Sequence, residues 1–449
     1  MTAADAVARL LARDDAVFPR ARLGWLDAPA RPAPCVDSPP RCDRALLLGM
    51  GGSSLAAQVY VQWGLAPRAL RLRVLDSVAP SAIRKETDAF DPARTLVVGV
   101  SKSGTTAETL ALLAHFAPRV PADHLLAVTD PGTPLEARAR AAGWRLASSE
   151  PNIGGRYSAL ATAGLLPATL MGLPVGAVLE GAREEAARFA SEGERSAAAR
   201  LAKRLASARV VALDAPHLSA LAWWAEQLVA ESTGKLGRGV LPIVGDTPEG
   251  APRELLDPGD SPALGAIFFR WEAAVALCGA LLGVNPFDEP DVDAGKRATR
   301  AVLGGESPDV AAWDDAPTNA SLAALLEGDD ATTACLLVYA APTAPRARLL
   351  AATQRRLRAR TGLPVTWGFG PRYLHSTGQF HKGGPPGGRF LVVLVDEGPD
   401  LPIPGAPYSF GALFEAQARG DCATLAARGR RVLGVRVRAD ALAQLLARL

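Results

Sequence analysis

Along the chain, short apolar runs rich in branched residues alternate with longer stretches in which apolar positions recur every three or four residues. Strand-sized runs separated by segments of helical period are the pattern of βα units, in which successive strands lie parallel beneath covering helices. In the first half these runs occupy residues 45–50, 72–76, 95–100 and 125–129, each ending in a turn rich in Gly, Ser or Asp. A second series occupies 210–214, 335–340, 364–368, 390–395 and 432–437. Between the two, residues 175–208 change to an Ala/Glu/Arg pattern of mixed charge, which predicts one or two surface helices and a connection between domains. The pattern thus predicts an α/β protein with a parallel sheet in each half, divided into residues 1–190 and 191–449. No repeat of 20–50 residues and no low-complexity tract interrupts it.

Composition narrows the function classes. The 449 residues are 49% hydrophobic and 21% charged, a globular balance that argues against disorder. Basic and acidic residues (49 against 46) are interspersed. No domain-scale positive field is therefore expected to hold nucleic acid or an anionic membrane, and an anionic ligand must be gripped locally. The five cysteines (Cys35, Cys42, Cys278, Cys335 and Cys422) are odd in number and never form a CxxC pair. That spacing disfavours a disulfide framework or a zinc knuckle and predicts a reducing, cytoplasmic setting. The first residues lack the apolar core of a signal peptide, and no stretch reaches the ~18 uninterrupted apolar residues of a membrane span. Lysine is scarce: only Lys85, Lys102, Lys203, Lys235, Lys296 and Lys382 occur.

Two loops carry phosphate-binding chemistry. After the first strand comes Gly49-Met50-Gly51-Gly52-Ser53-Ser54 and then a helical run. Such a turn lets backbone approach an anion while the following helix points N–H groups at it, although a tight structural βα turn has the same glycines. The third strand ends in Ser101-Lys102-Ser103-Gly104-Thr105-Thr106-Ala107-Glu108-Thr109. Its hydroxyls and scarce lysine lie at the carboxyl end of an apolar strand, where open α/β sheets bind ligands. The alternative is an ordinary run of N-capping residues. GxxxxGK[ST] is absent, so nucleotide phosphate transfer is unsupported.

The pair GMGGSS and SKSGTTAET resembles the sugar isomerase domain, a phosphosugar-binding α/β module. Three later segments narrow the resemblance to the phosphoglucose isomerase family. Asn152-Ile153-Gly154-Gly155-Arg156-Tyr157-Ser158 is similar to its GGR[FY]S segment, Glu231-Ser232-Thr233-Gly234-Lys235 to its ESxGK segment, and Asn285-Pro286-Phe287-Asp288-Glu289-Pro290-Asp291-Val292-Asp293-Ala294-Gly295-Lys296 to its NPFDQPxVExxK run. One departure stands out. The family's usual histidine segment lies between the glutamate and the last lysine, whereas here no histidine lies between Glu231 and Lys296. A stretch of the same WG…HS..Q..H.G order but with one residue fewer between the histidines, Trp367 to Gly383, follows later and contains His375, His381 and Lys382. This order, with RLGWLDAP at residues 22–29, most resembles the isomerase half of transaldolase–phosphoglucose isomerase fusions.

The resemblance implies two doubly wound, three-layer αβα sugar isomerase domains with mainly parallel sheets. It implies aldose–ketose interconversion of glucose 6-phosphate and fructose 6-phosphate through a cis-enediol. Glu231 would be the base, Arg156 the cation at the enediolate, and His375 with Lys296 the ring-opening groups, with His381 and Lys382 in reserve. The phosphate would rest on Ser101, Lys102, Ser103, Thr105 and Thr106, with help from Gly52, Ser53 and Ser54. Moving one proton and holding one developing negative charge needs no cofactor. Histidines 375 and 381 lack nearby carboxylates in sequence, so no metal site is expected. A homodimer is implied, together with two rivals: an isomerase that also takes mannose 6-phosphate, and a non-catalytic phosphosugar sensor. His115, His124 and His217 stand in ordinary helix or strand-end contexts and receive no role.

Overall fold

The computed structural model describes residues 1–36, 42–64, 70–305, 313–314 and 317–449, apart from the side chains of residues 292, 293 and 313. Strands β1 (Arg44–Leu48), β2 (Arg71–Leu75), β3 (Thr95–Val100), β4 (Leu125–Thr129) and β5 (Arg145–Ser148) form a parallel sheet in the order β2-β1-β3-β4-β5. A small parallel sheet follows, made of β6 (Val210–Asp214), β7 (Leu241–Val244) and β8 (Arg253–Leu255) in the order β7-β6-β8. The last sheet contains β9 (Trp313–Asp314), β10 (Thr333–Tyr339), β11 (Val365–Gly370), β12 (Gly388–Asp396) and β13 (Arg431–Arg438), ordered β11-β10-β12-β13-β9. The expected parallel α/β architecture is present: β10 to β13 repeat the 2-1-3-4 order of the first sheet, and β9 takes the edge that β5 takes there.

Every apolar run read as a strand is one. The strands that were not anticipated have local reasons. β5 is a half-exposed edge strand, and β7 contains Pro242, which its edge position tolerates. β8 and β9 have three and two residues.

The anticipated boundary at 190/191 falls inside the helix Val175–Glu192. Its charged face is at the surface, while Val178, Leu179, Ala182 and Phe189 are buried. Gly181 and Gly265 let this helix and Ser261–Leu282 touch backbone to backbone, since a Cβ on either would lie 1.8 Å from a carbonyl oxygen of the other helix. The segment therefore binds the two halves together. Helix Ser261–Leu282 is long and apolar enough to cross a membrane by length and composition, yet it forms the centre of the core, with 83% of its apolar window buried.

That helix holds Glu272 fully buried, close to the Ala159 backbone, and burial pushes its carboxyl well above the ordinary carboxylate range. Above the unfolded pKa, unfolding releases a proton that the folded state retains, so this group costs stability as pH rises, by about 1.4 kcal/mol per pH unit until the folded pKa is reached. Glu272→Gln removes the titration at nearly constant volume. Urea unfolding between roughly pH 6 and 8 should show the variant gaining on the parent with increasing pH; parallel profiles would contradict a neutral buried Glu272.

Candidate active site

In an open α/β sheet, ligands bind beyond the carboxyl ends of the strands where the strand order reverses. For the first sheet that point lies between β1 and β3, and both phosphate-type loops leave from it. Gly51 (φ +53°) and Gly52 are required there by close approach. A Cβ on Gly51 would lie 2.5 Å from the His375 carbonyl oxygen and 2.9 Å from Gln227 Nε2, and one on Gly52 would lie 2.2 Å from the Gly155 carbonyl oxygen. Three segments far apart in sequence thus meet on two glycines.

Arg156 is the best-fixed cation. It stands in a 3-10 turn, Gly155–Tyr157, and its side chain is 4% exposed. Nε donates to Ser232 Oγ at 3.0 Å, and one terminal nitrogen donates to the Pro286 and Asp288 carbonyls at 2.8 and 2.9 Å. The other donates to Glu289 Oε2 at 2.9 Å and lies 3.8 Å from Glu231 Oε2. Of its five N–H groups, these contacts use four and leave one on the side of Glu231. Lys235, buried at the end of the ESTGK segment, donates to Asp288 at 2.8 Å and so holds the carbonyls that hold Arg156. Burial and the Arg156 charge push the Lys235 ammonium down to about 8.

Glu231 lies in the last turn of helix Ser219–Thr233, with its side chain 12% exposed. Gln227, one turn earlier, donates to Glu231 Oε2 at 3.1 Å and to the His375 carbonyl at 2.7 Å, linking base and histidine turn. Burial, aided by the Glu289 carboxylate, raises the Glu231 carboxyl above its ordinary range despite the opposing Arg156. A carboxylate that holds its proton more tightly is a stronger base near neutral pH.

The displaced histidine segment does reach this place. β11 runs into the 3-10 turn Arg372–His375 and then the short helix Gly378–Gly383. His375 Nε2 lies 2.8 Å from Glu108 Oε1, and Gln417 Nε2 donates to the same oxygen at 2.6 Å. Burial opposes a charged imidazole, but the Glu108 and Glu231 carboxylates outweigh it and raise the His375 pKa. Lys296 is exposed on helix Val292–Leu303, near enough to His375 to oppose its protonation. Gln379 ties the three motifs together, donating to the Gly234 carbonyl and to Asp291 Oδ2 at 2.9 and 2.7 Å.

Lys102 Nζ donates to Asp130 Oδ1 at 2.6 Å and to the Glu150 carbonyl at 2.7 Å, so it braces the loop against neighbouring strand ends. Ser54 is buried and its hydroxyl donates to the Gly51 carbonyl, leaving Gly52 and Ser53 as the partly exposed members of the first loop. In the second, Ser103 and Thr105 are exposed and share a 2.9 Å hydrogen bond, and Ser101 Oγ donates to Thr106 Oγ1 at 3.0 Å. His381 is turned into the core against Tyr373 and Phe390, and burial with Lys382 and Arg430 pushes it down to about 3. Lys382 is buried on Asp421 at 2.5 Å. The short helix sends these two side chains inward, so neither joins Glu231 and His375.

Glu108, Gln227 and Glu289 were given no role from sequence. Glu108 occupies the first turn of helix Ala107–Phe116, where an acid ordinarily complements the helix dipole, and only its 4% exposure reveals a partner. Glu289 replaces the glutamine of the NPFDQP pattern, a departure that could have marked it. Among the described residues, no group of His, Cys, Asp and Glu could hold a metal ion.

No family model matches the chain. It is 34% identical over 239 residues to a glucose-6-phosphate isomerase of Thermus thermophilus, covering 49% of this chain and 57% of that protein. It is 29% identical over 343 residues to a probable glucose-6-phosphate isomerase of Natronomonas pharaonis, covering 59% and 79%. The chain thus spans little more than half the length of the Thermus relative. Among solved structures, the hypothetical protein TT0462 of Thermus thermophilus superposes with a TM-score of 0.60 at 27% identity, over 68% of this chain and 95% of that one. A glucose-6-phosphate isomerase of Chlamydia trachomatis shares the fold, with a TM-score of 0.51 at 20% identity over 68% and 76% of the two chains.

Proposed function

We propose that this protein interconverts glucose 6-phosphate and fructose 6-phosphate. The observation that carries this reading is the convergence of a buried base, Glu231, a locked cation, Arg156, and a carboxylate-backed histidine, His375, beside two hydroxyl-bearing loops at a sheet switch point. The similarity to glucose-6-phosphate isomerases supports it. In the forward direction, protonated His375 gives a proton to the ring oxygen while a solvent water takes the proton that leaves the C1 hydroxyl, with Lys296 proposed to stand beside these oxygens, and the open-chain aldose forms. Glu231 then takes the proton from C2. Electron density moves onto the carbonyl oxygen, and the remaining Arg156 N–H meets the charge as the cis-enediol forms. O1 takes up a proton as the O2 hydroxyl gives one up, through solvent within the site, and Glu231 returns its proton to C1, which gives the ketose. Protons pass between substrate, side chains and solvent while the electrons stay within the substrate, so the step draws on no external oxidant or reductant.

Mixing the protein with glucose 6-phosphate in deuterated water and following fructose 6-phosphate by NMR tests the reading. Product with partial deuterium at C1 is expected, and the absence of turnover would reject it. Mannose 6-phosphate in parallel tests substrate breadth. The resemblance also supports a homodimer, for which sedimentation equilibrium returning the monomer mass would be the contrary result.

The phosphate assignment has its own test. Ser103 and Thr106 are proposed to hold the phosphate equally in ground and transition states, so the double replacement by Ala should raise KM by at least ~10-fold while kcat changes little. An unchanged KM would place the phosphate elsewhere.

A further inference from the structure

The second large sheet has a switch point of its own, between β10 and β12. On the β12 side Glu397 Oε1 accepts the Ala341 N–H at 2.9 Å and Arg346 at 2.7 Å, so a carboxylate of this chain already takes these donors on the wall of a wide cleft. On the β11 side the structure leaves a cavity of about 220 Å³. None of Glu231, Arg156, Glu108, His375 or Lys296 lines it.

Four features give this cavity its chemistry. The 18-residue helix Ala344–Thr361 opens onto it through Thr343, Ala344 and Ala347, with no acidic residue in its first turn. Arg372 reaches it from the histidine turn, its Nε 3.4 Å from Asp76 and its guanidinium 5.8 Å above the Trp223 ring. Glu226, 5% exposed, lines it, and among the described residues no hydrogen bond reaches its carboxyl. Trp223 and Trp367, packed edge to face at 5.0 Å, supply an apolar wall. Burial pushes the Glu226 carboxyl up to about 8 against the pull of Arg372, which favours its protonated, O–H-donating form. The guanidinium and the protonated carboxyl are donors at the cavity head; the helix end adds its dipole, since Pro345 has no N–H and Thr343 takes the Arg346 and Ala347 N–H groups.

We propose that this cavity binds a small organic carboxylate, its head between Arg372, Glu226 and the N-terminus of helix Ala344–Thr361, and its body against Trp223 and Trp367. An occupant bears on the isomerase site from two sides, because Glu226 precedes Gln227 and Arg372 begins the turn that ends in His375.

Calorimetric titration of the whole protein with benzoate, with benzyl alcohol as the uncharged control, tests the proposal without reference to turnover, so its failure is separate from any failure of the isomerase reading. Saturable benzoate binding with a Kd on the order of 1 mM is expected. Ala347→Phe, which fills the cavity, and Arg372→Gln should each weaken it at least ~10-fold, while Ser103→Ala with Thr106→Ala leaves it unchanged. If Ala347→Phe does not fold, Arg372→Gln carries the same test. The proposal is overturned if neither benzoate nor hexanoate saturates, if benzyl alcohol binds as well, if the cavity variants bind like the parent, or if the phosphate-loop variant loses benzoate.

Discussion

Glu231→Gln is expected to lower isomerisation by at least ~10², with sugar phosphate still bound. Glutamine keeps the shape and can still accept from Gln227, which now touches Glu231 Oε2 at 3.1 Å, but it has no lone pair basic enough to take the C2 proton. Burial raises the Glu231 pKa, so in the parent the acid limb of kcat/KM should lie above the ordinary glutamate value, the base being lost as pH falls through the raised pKa. In the variant that limb disappears with the activity. Near-parental turnover in a folded Glu231→Gln protein would remove Glu231 from the chemistry.

For the displaced histidine, His375→Ala is expected to slow turnover of the cyclic sugar by ~10² or more. Proton exchange on an open-chain phosphosugar should be largely spared, because Glu231 and Arg156 stay in place. Glu108→Gln probes the same step through the imidazole. Burial lowers the His375 pKa and the Glu108 and Glu231 carboxylates raise it by more. Without the Glu108 charge the imidazole gives up its proton at lower pH, and the alkaline limb of kcat/KM should move to lower pH. Equal loss of ring opening and exchange in His375→Ala would make the turn structural, and an unmoved alkaline limb in Glu108→Gln would detach Glu108 from it.

Much of the fold is readable in the chain because buried parallel strands are continuous apolar runs. Every residue of β3 and β10 is buried, and both were plain in the hydrophobic pattern. The edge strands β5 and β7, half wet or carrying proline, were not. Motif spacing brought out Glu231, Arg156 and His375 because each sits in a segment of unusual composition. The motif segments also carry His381 and Lys382, which Tyr373 with Phe390 and Asp421 hold away from Glu231 and His375, and Lys102, which pairs with Asp130.

What the sequence alone determined was the parallel α/β class and the residue types able to move a proton and hold an anion, since both depend on local periodicity and on chemistry within short segments. Which of those residues act together was decided by the tertiary structure. His375 and Glu108 lie 267 positions apart, and Arg156 and Glu289 lie 133 apart. No local rule links such pairs. They meet because the two glycines at 51 and 52 admit the backbone of the His375 and Gly155 segments and the Gln227 side chain to one switch point, where burial raises the Glu231 pKa and the Glu108 and Glu231 carboxylates raise that of the imidazole.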